Sequence, residues 1–283
     1  MIFTNFEKIA LFFQKPHTQW TRFNLRLLQL EDLDCLVEMR NQVLARLPNP
    51  DLHMREPDEI NYLRAHLMPP TATKNAQGME HGEIIGVFDK GVLLAYGMLG
   101  LPEPDAEDNL GYFLPIQAAK RAQIAHVAGC MVREHMRGQG LHRLLLAARL
   151  ALARTHGRSI CASRVSLYNH VSRRNMQREG MRIAWIGDIN GLKRQILGIN
   201  LIEPWQFDKT QALLVDSHDF KRQHELSQQS WWGVGEVDNA DGSHTLVFEK
   251  RLASTVEILQ GQSESKHSLH VLPLIPVDSP NPV

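Results

Sequence analysis

The stretch "REHMRGQGLHRLLL" (133–146) places two glycines, Gly138 and Gly140, directly before a strongly apolar segment with helical spacing. It follows "IAHVAGCMV" (124–132), which has the composition of a buried strand. A strand that runs through a glycine loop into a helix leaves backbone N–H groups without partners in the first helical turn. Those donors and the positive end of the helix dipole predict an anion site. A tight strand-to-helix turn is the plainer interpretation of any isolated Gly-x-Gly.

Other nucleotide-binding motifs do not fit this loop. A dinucleotide fingerprint requires a third glycine where Arg143 stands, and a P-loop requires Gly-Lys-Ser/Thr, which the sequence lacks. Arg137 and Arg143 add positive charge around the glycines. The loop therefore predicts a phosphate-bearing ligand of another kind.

Hydrophobic periodicity organises the chain around this loop. The apolar spacing after Gly140 predicts a helix with a core-facing stripe, and Asn190-Gly191 predicts a tight hairpin. The segment 102–123 is long and mixed, and we expect it to cover an active site. The other predicted elements are a strand at 23–30 with a helix after it, a helix near 58–67, a hairpin within 83–101, a strand near 159–167 and a helix near 170–179.

A second motif follows about 30 residues later. "YNHVSRRNMQREGM" (168–181) begins where a strand should end, carries Asn169 and Ser172, and reaches Gly180 before the next strand. Together, the two stretches resemble the GCN5-related N-acetyltransferase (GNAT) superfamily. Its acetyl-CoA loop reads Gln/Arg-x-x-Gly-x-Gly/Ala, and its next helix commonly reads Asn-x-x-Ser, seven residues, then Gly-Phe.

The order of elements resembles that of the family over residues 23–202, and the specific sequence motifs lie within residues 130–181. The departures are His142, where Gly or Ala is usual, and Met181, where Phe is usual. In the alternative register, His135 replaces the leading Gln or Arg.

The resemblance implies an α/β (α+β) fold of GNAT type. We expect a mixed, mostly antiparallel sheet with a splayed central strand pair and helices on both faces. The residue pattern adds a small C-terminal β-α-β-β appendage. The predicted divisions are an N-terminal helix or extension at 1–22, an acyltransferase domain at 23–204, the appendage at 205–252 and a disordered tail at 253–283.

The resemblance also implies which residues bind an acyl-CoA. Main-chain N–H groups of the loop would hold the pyrophosphate, and the end of the central strand would line the pantetheine arm, with the Val132 N–H meeting the thioester carbonyl. Asn169 would bond the cofactor or the acceptor, or would cap its helix. The implied cofactor residues are Cys130, Met131, Val132, Arg137, Gly138, Gln139, Gly140, Leu141, His142, Arg143, Asn169 and Ser172.

The catalytic residues are harder to assign. Family members often carry a glutamate five residues before the Asn and a tyrosine seven after it, but those positions hold Arg164 and Met176. We expect Glu134 as a general base and Tyr168 as a general acid, although a solvated glutamate and a packed tyrosine are the plainer interpretations. Cys130 as an acyl-enzyme nucleophile is the weakest option, since a cysteine in an apolar strand is usually inert core.

The resemblance also implies that the acceptor enters between the first two helices and the late hairpin. His53, Glu56, Asp58 and 102–123 are the residues to follow, and each is also an ordinary surface candidate. An acidic run in that segment would attract a cationic amine, although such runs are usually only solvated. Its members are Glu103, Asp105, Glu107 and Asp108.

Composition restricts the partners and the compartment. Lys+Arg and Asp+Glu both total 31, so no net charge indicates nucleic acid or a membrane surface as a partner. No apolar run approaches the roughly 18 residues of a membrane span. The three cysteines have neither metal-ligand nor disulfide-scaffold spacing. We therefore expect a cytoplasmic protein without a metal, and we allow for a homodimer.

The resemblance implies an N-acetyltransferase that transfers acetyl from acetyl-CoA to a primary amine, of a small molecule or a protein, by direct attack in a ternary complex. The alternative is a non-catalytic CoA-binding module with a regulatory or partner-binding role. A third interpretation is a scaffold without CoA affinity. The sequence leaves the acceptor and the acyl-chain preference open.

Overall fold

A computed structural model describes residues 23–53, 56, 58–68 and 81–253. The predicted N-terminal helix at 1–22 lies outside the described residues. The same holds for all but the first residue of the predicted disordered tail.

Ten strands form one sheet, and β4 and β5 are the only parallel neighbours among those described. The spatial order is β1-β2-β3-β4-β5-β7-β6-β9-β10-β8. This mixed, mostly antiparallel sheet confirms the predicted fold class. The strands are β1 Asn24–Leu27, β2 His81–Asp89, β3 Val92–Leu101, β4 Ile124–Val132, β5 Ile160–Ser166, β6 Arg182–Ile189, β7 Leu192–Asn200, β8 Phe207–Asp216, β9 Trp231–Asp238 and β10 His244–Arg251.

Helices cover both faces of the sheet, as predicted. The helices are α1 Leu33–Leu44, α2 Glu59–Leu67, α3 Leu141–Thr155, α4 His170–Arg178 and α5 Phe220–Gln228. The leucines of α3 pack with Val127 and Val165 on one face. Leu36 of α1 and Leu63 of α2 pack with Met98 on the other face. The predicted stripe of α3 is buried throughout, at Leu141, Leu144, Leu145, Ala148 and Leu152.

The segment 102–123 is ordered, with short 3-10 helices at Leu110–Phe113 and Ala118–Gln123. The Asn109 side chain fixes it by accepting from the Gly111 N–H at 2.8 Å and donating to the Glu103 carbonyl at 2.9 Å. A third apolar cluster forms where Leu110 packs near Ile124. The segment 102–123 is therefore packed against the sheet in a defined conformation.

The C-terminal part contains β8, α5, β9 and β10, which confirms the predicted β-α-β-β order. It extends the main sheet where Gly233 of β9 pairs with Ile183 of β6. A buried ion pair reinforces the contact, with Arg173 Nε of α4 2.7 Å from Glu236 Oε2 of β9 and both side chains 1% exposed. The boundary proposed at residue 204 remains a prediction.

Candidate functional site

The central feature of the site is a gap between β4 and β5. The two strands pair at Ile124–Ile160, Ala125–Cys161 and His126–Ala162, and their pairing ends there. At the point of divergence the Ser163 hydroxyl donates to the Val127 carbonyl at 2.7 Å. Beyond it, a cavity of about 1170 Å³ opens along both strands. The splayed central pair that the resemblance implied is therefore present.

A bulge in β4 lies beside the gap. The register between β3 and β4 breaks between Gly97 and Leu99, opposite Ala128 and Gly129. The fully buried Arg149 of α3 lies beneath this break. Its Nη1 donates to the Ala128 carbonyl at 2.9 Å and the Met98 carbonyl at 3.4 Å. Arg149 therefore donates hydrogen bonds to carbonyl groups that would pair between β3 and β4 if the two strands were regular.

The end of β4 presents main-chain groups to the gap. The Arg133 N–H donates to the Leu94 carbonyl of β3 at 2.9 Å. Because successive N–H groups of a strand point to opposite sides, the Val132 N–H faces away from β3 and into the gap. Cys130, Met131 and Val132 all line the cavity, where the resemblance placed the pantetheine arm.

The glycine loop lies at the head of the cavity. Gly138 and Gly140 adopt φ values of 77° and 75°, in the left-handed region that favours glycine. A Cβ added at Gly138 would meet no atom within 4 Å, so open space adjoins this backbone. Five main-chain N–H groups have no acceptor among the described residues, namely those of Gly138, Gly140, Leu141, His142 and Arg143.

Charge at the loop differs from the sequence expectation in one respect. The Arg143 side chain is held by Glu179, with Nη2 2.6 Å from the carboxylate, so its charge is largely compensated within the protein. Arg137 lines the cavity and makes no ion pair with a described residue. The Gln139 side chain lies 3.9 Å from the Met136 sulfur, and Gln139 does not line the cavity.

His142 contributes an imidazole to the cavity wall. Its Nε2 lies 3.5 Å from the Ser172 hydroxyl, while its buried Nδ1 has no partner in the described part of the chain. Burial and the nearby Arg149 lower the His142 pKa to about 3. The ring is therefore neutral at physiological pH.

Asn169 is the N-cap of α4. Its Oδ1 accepts from the Ser172 N–H at 3.1 Å, which realises the capping alternative raised for this residue. Asn169 and Ser172 also line the cavity, so the side-chain NH2 of Asn169 is near the site.

The two predicted catalytic side chains lie in different places. Glu134 pairs with Arg46 at 2.9 Å, its side chain is 60% exposed, and it lines a separate surface depression. The structure does not bring it to the cavity. Tyr168 lines the cavity, with its ring stacked 6.2 Å from that of His218. Arg164 and Met176, where Glu and Tyr are common in the family, also line it.

A polar cluster on the opposite wall joins His53, an expected acceptor residue, to Arg40, Glu59 and Tyr96, which the sequence did not indicate as site residues. The buried Arg40 of α1 donates to the Tyr96 hydroxyl at 2.8 Å, pairs with Glu59, and lies 2.8 Å from His53 Nε2. Burial raises the pKa of Tyr96 to about 12, so the phenol stays protonated. Arg40 and His53 approach the bulge at Gly129.

The predicted acceptor residues are only partly brought together. His53, Glu56 and Asp108 line the cavity. Asp58 caps α2 by accepting from the Asn61 N–H at 3.4 Å. The remaining acidic residues of the segment, Glu103, Asp105 and Glu107, do not line it.

No group of three or more His, Cys, Asp or Glu side chains within the described ranges is arranged to hold a metal ion. Among the described helices, none is both long and apolar enough to cross a membrane.

Among the comparisons with known proteins, only the one with solved structures found similar proteins. No protein-family model and no curated protein matches the chain. An N-acetyltransferase from Staphylococcus aureus is 15% identical, with a TM-score of 0.44 over 64% of this chain and 99% of the other. A protein of Salmonella typhimurium assigned as an acetyltransferase, solved with acetyl-CoA, is 17% identical, with a TM-score of 0.44 over 65% and 96%.

A GCN5-related N-acetyltransferase from Kribbella flavida is 16% identical, with a TM-score of 0.44 over 64% of this chain and 98% of the other. The Kribbella flavida protein carries the name of the superfamily that the two sequence motifs resemble.

Proposed function

We propose that the protein is an acyl-CoA-dependent N-acyltransferase of GNAT type that transfers acetyl from acetyl-CoA to a primary amine. The observation that carries the proposal is the set of five N–H groups at the head of the β4–β5 gap that have no acceptor among the described residues, those of Gly138, Gly140, Leu141, His142 and Arg143. Such donors at a helix N-terminus suit a diphosphate. The open space beside Gly138 lets an anion approach the backbone closely.

The rest of the gap suits the remainder of an acyl-CoA. A pantetheine arm placed along Cys130–Val132 would meet main-chain groups that β5 does not use. The Val132 N–H is directed where a thioester carbonyl would lie, and one such donor lowers a barrier by about 2–4 kcal/mol. Arg149 supports this role indirectly, because it fixes the bulge from which this part of β4 departs.

Direct attack by the amine is favoured over an acyl-enzyme. Cys130 is the only cysteine among the residues that line the cavity, and burial raises its pKa, so little thiolate forms at neutral pH. The amine must be unprotonated to attack, because an ammonium has no lone pair. Tyr168 remains our candidate acid for the departing thiolate, whereas Glu134, the expected base, does not line the cavity.

The second candidate is a CoA-binding module without catalysis, and Arg164 and Met176 at the usual positions of Glu and Tyr favour it. Release of the CoA thiol from acetyl-CoA, measured over a panel of primary amines, separates the two. Turnover with any amine supports the enzyme. Tight acetyl-CoA binding without turnover supports the module, and no binding contradicts both.

A cytoplasmic location is part of the proposal. It rests on Cys35, Cys130 and Cys161 being free thiols, as expected of a reducing compartment.

A further inference from the structure

Arg194 of β7 is a buried cation in the wall of the cavity. The residue is 2% exposed and lines the cavity. Its Nη1 donates to the carbonyl of its neighbour Lys193 at 3.1 Å, whereas its Nη2 is buried and has no partner within the described residues. A guanidinium removed from water is costly unless it is bonded to an anion. Its free Nη2 therefore indicates a group that is not part of the described chain.

Arg164 of β5 lies on the same face of the sheet. In the β5–β7 register, Ser166 is opposite Arg194 and Arg164 is opposite Ile196. Residues directly opposite share a face, as do residues two apart in a strand, so the two arginines are diagonal neighbours. Arg164 lines the cavity and makes no hydrogen bond or ion pair with a described residue.

This face is the one opposite α3. The neighbouring Ala162 and Ile196 belong to the third apolar cluster, which also contains Leu110 of the segment 102–123. Cys161 and Val165, which alternate with them in β5, pack with the α3 leucines instead. The two arginines are therefore on the other side of the sheet from the α3 leucines.

The carboxylates that act electrostatically on Arg194 do not neutralise the two arginines. Asp51 and Asp188 act on Arg194 electrostatically, but neither forms an ion pair with it. Burial, reinforced by the charge of Arg164, lowers the Arg194 pKa. Two adjacent guanidinium groups facing one space favour an incoming anion, and their planar forks suit a carboxylate.

We propose that Arg164 and Arg194 form the recognition site for the amine acceptor, and that this acceptor carries a carboxylate beside its amine, as an amino acid does. The inference rests on the proposed function, since it concerns the second substrate of the same cavity. It also gives a reason for arginine at position 164, where a glutamate would repel such a substrate.

The test compares the twenty α-amino acids with their carboxamides as acceptors, by thiol release from acetyl-CoA. The carboxamide keeps the amine and the side chain and removes the negative charge. We expect turnover of one or more amino acids and a KM higher by roughly 10- to 100-fold for the matching carboxamide. The carboxamide amine is less basic and so more often unprotonated, which works against this result. Equal KM values would overturn the proposal.

Variants assign the effect to the two arginines. Arg164→Gln and Arg194→Gln should raise the KM for the amino acid by a similar factor, leave the KM for its carboxamide unchanged, and leave the Kd for acetyl-CoA unchanged. Arg222→Gln, which removes an exposed charge from α5, is the matched control and should change none of these. If Arg194→Gln fails to fold, the less buried Arg164→Gln decides alone. An equal loss for both acceptors would contradict the assignment.

A binding measurement keeps the two proposals distinguishable. N-acetyl amino acids should raise the melting temperature of the wild-type protein more than N-acetyl carboxamides do, with and without CoA, and Arg164→Gln should abolish the difference. No carboxylate-dependent shift would refute this inference even if acetyl-CoA binds. A shift that persists when acetyl-CoA does not bind would support the arginine site and refute the acyltransferase.

Discussion

At the scale of single residues, the positive φ of Gly138 ties backbone conformation to ligand binding. Gly138→Ala should lose about 1 kcal/mol of unfolding free energy, because alanine adopts this φ with strain. The added Cβ enters the open space where a diphosphate would approach. We therefore expect the Kd for acetyl-CoA to rise about tenfold or more by calorimetry.

Gly157 provides the matched control for this prediction. It has a φ of 69° and an equally open surrounding, but it lies at the far end of α3. Gly157→Ala should cost similar stability and leave the Kd unchanged. Equal effects of the two substitutions on the Kd would show that the loop does not bind the cofactor.

His142 makes stability depend on pH. Its pKa is about 3 in the folded protein and about 6.5 when unfolded, so between these values only the unfolded chain is protonated. The unfolding free energy therefore falls as the pH drops below about 6.5, by up to about 1.4 kcal/mol per unit.

His142→Gln should remove this contribution. Urea unfolding at pH 7 and pH 5 should show a difference about 2 kcal/mol smaller in the variant than in the wild type. His135→Gln, in the preceding turn, should retain the wild-type difference. An unchanged pH dependence in His142→Gln would mean that the imidazole is not held neutral.

At the scale of elements, the side chain of Asn169 caps the N-terminus of α4. Asn169→Ala should lose about 1 kcal/mol because the Ser172 N–H loses its acceptor. Asn169→Asp keeps the capping oxygen and should retain wild-type stability in urea unfolding. A loss in Asn169→Asp equal to that in Asn169→Ala would contradict a role as cap. A higher KM for acetyl-CoA in both variants would assign the side-chain NH2, which both of them lack, to the cofactor.

The strand, glycine loop and helix around 124–155 could be predicted because their signals are local. The bulge in β4 could not, since it depends on Arg149, which is 21 residues away from Ala128 and stands in an otherwise apolar helix. The separation of Glu134 from the cavity could not be predicted either. Its partner Arg46 is 88 residues away in sequence.

At the scale of the whole molecule, one apolar core runs through both parts of the sheet. Leu246 and Phe248 of β10 belong to the cluster that contains Ile183 of β6 and the leucines of α3. The sequence identified the appendage by its element order, but it could not show that β9 would continue the main sheet. Strand pairing between distant segments has no local signal.

The buried pair of Arg173 and Glu236 joins the two parts. Glu236→Gln leaves the Arg173 charge buried without its partner, so we expect a loss of about 3–5 kcal/mol in urea unfolding. The exposed pair of Arg222 and Glu225 is the control, and Glu225→Gln should cost at most about 1 kcal/mol. Similar losses in both variants would contradict an anchoring role.

The central claim is that the main-chain N–H groups of the glycine loop, those of Gly138 and of Gly140 to Arg143, bind the diphosphate of an acyl-CoA. The most direct test is titration of the 15N-labelled protein with acetyl-CoA and with acetyl-pantetheine, which lacks the diphosphate. We predict that acetyl-CoA shifts the amide resonances of residues 138–143 and binds at least about 100-fold more tightly than acetyl-pantetheine. Equal affinity for the two compounds, or resonances in this loop that do not move, would contradict the account.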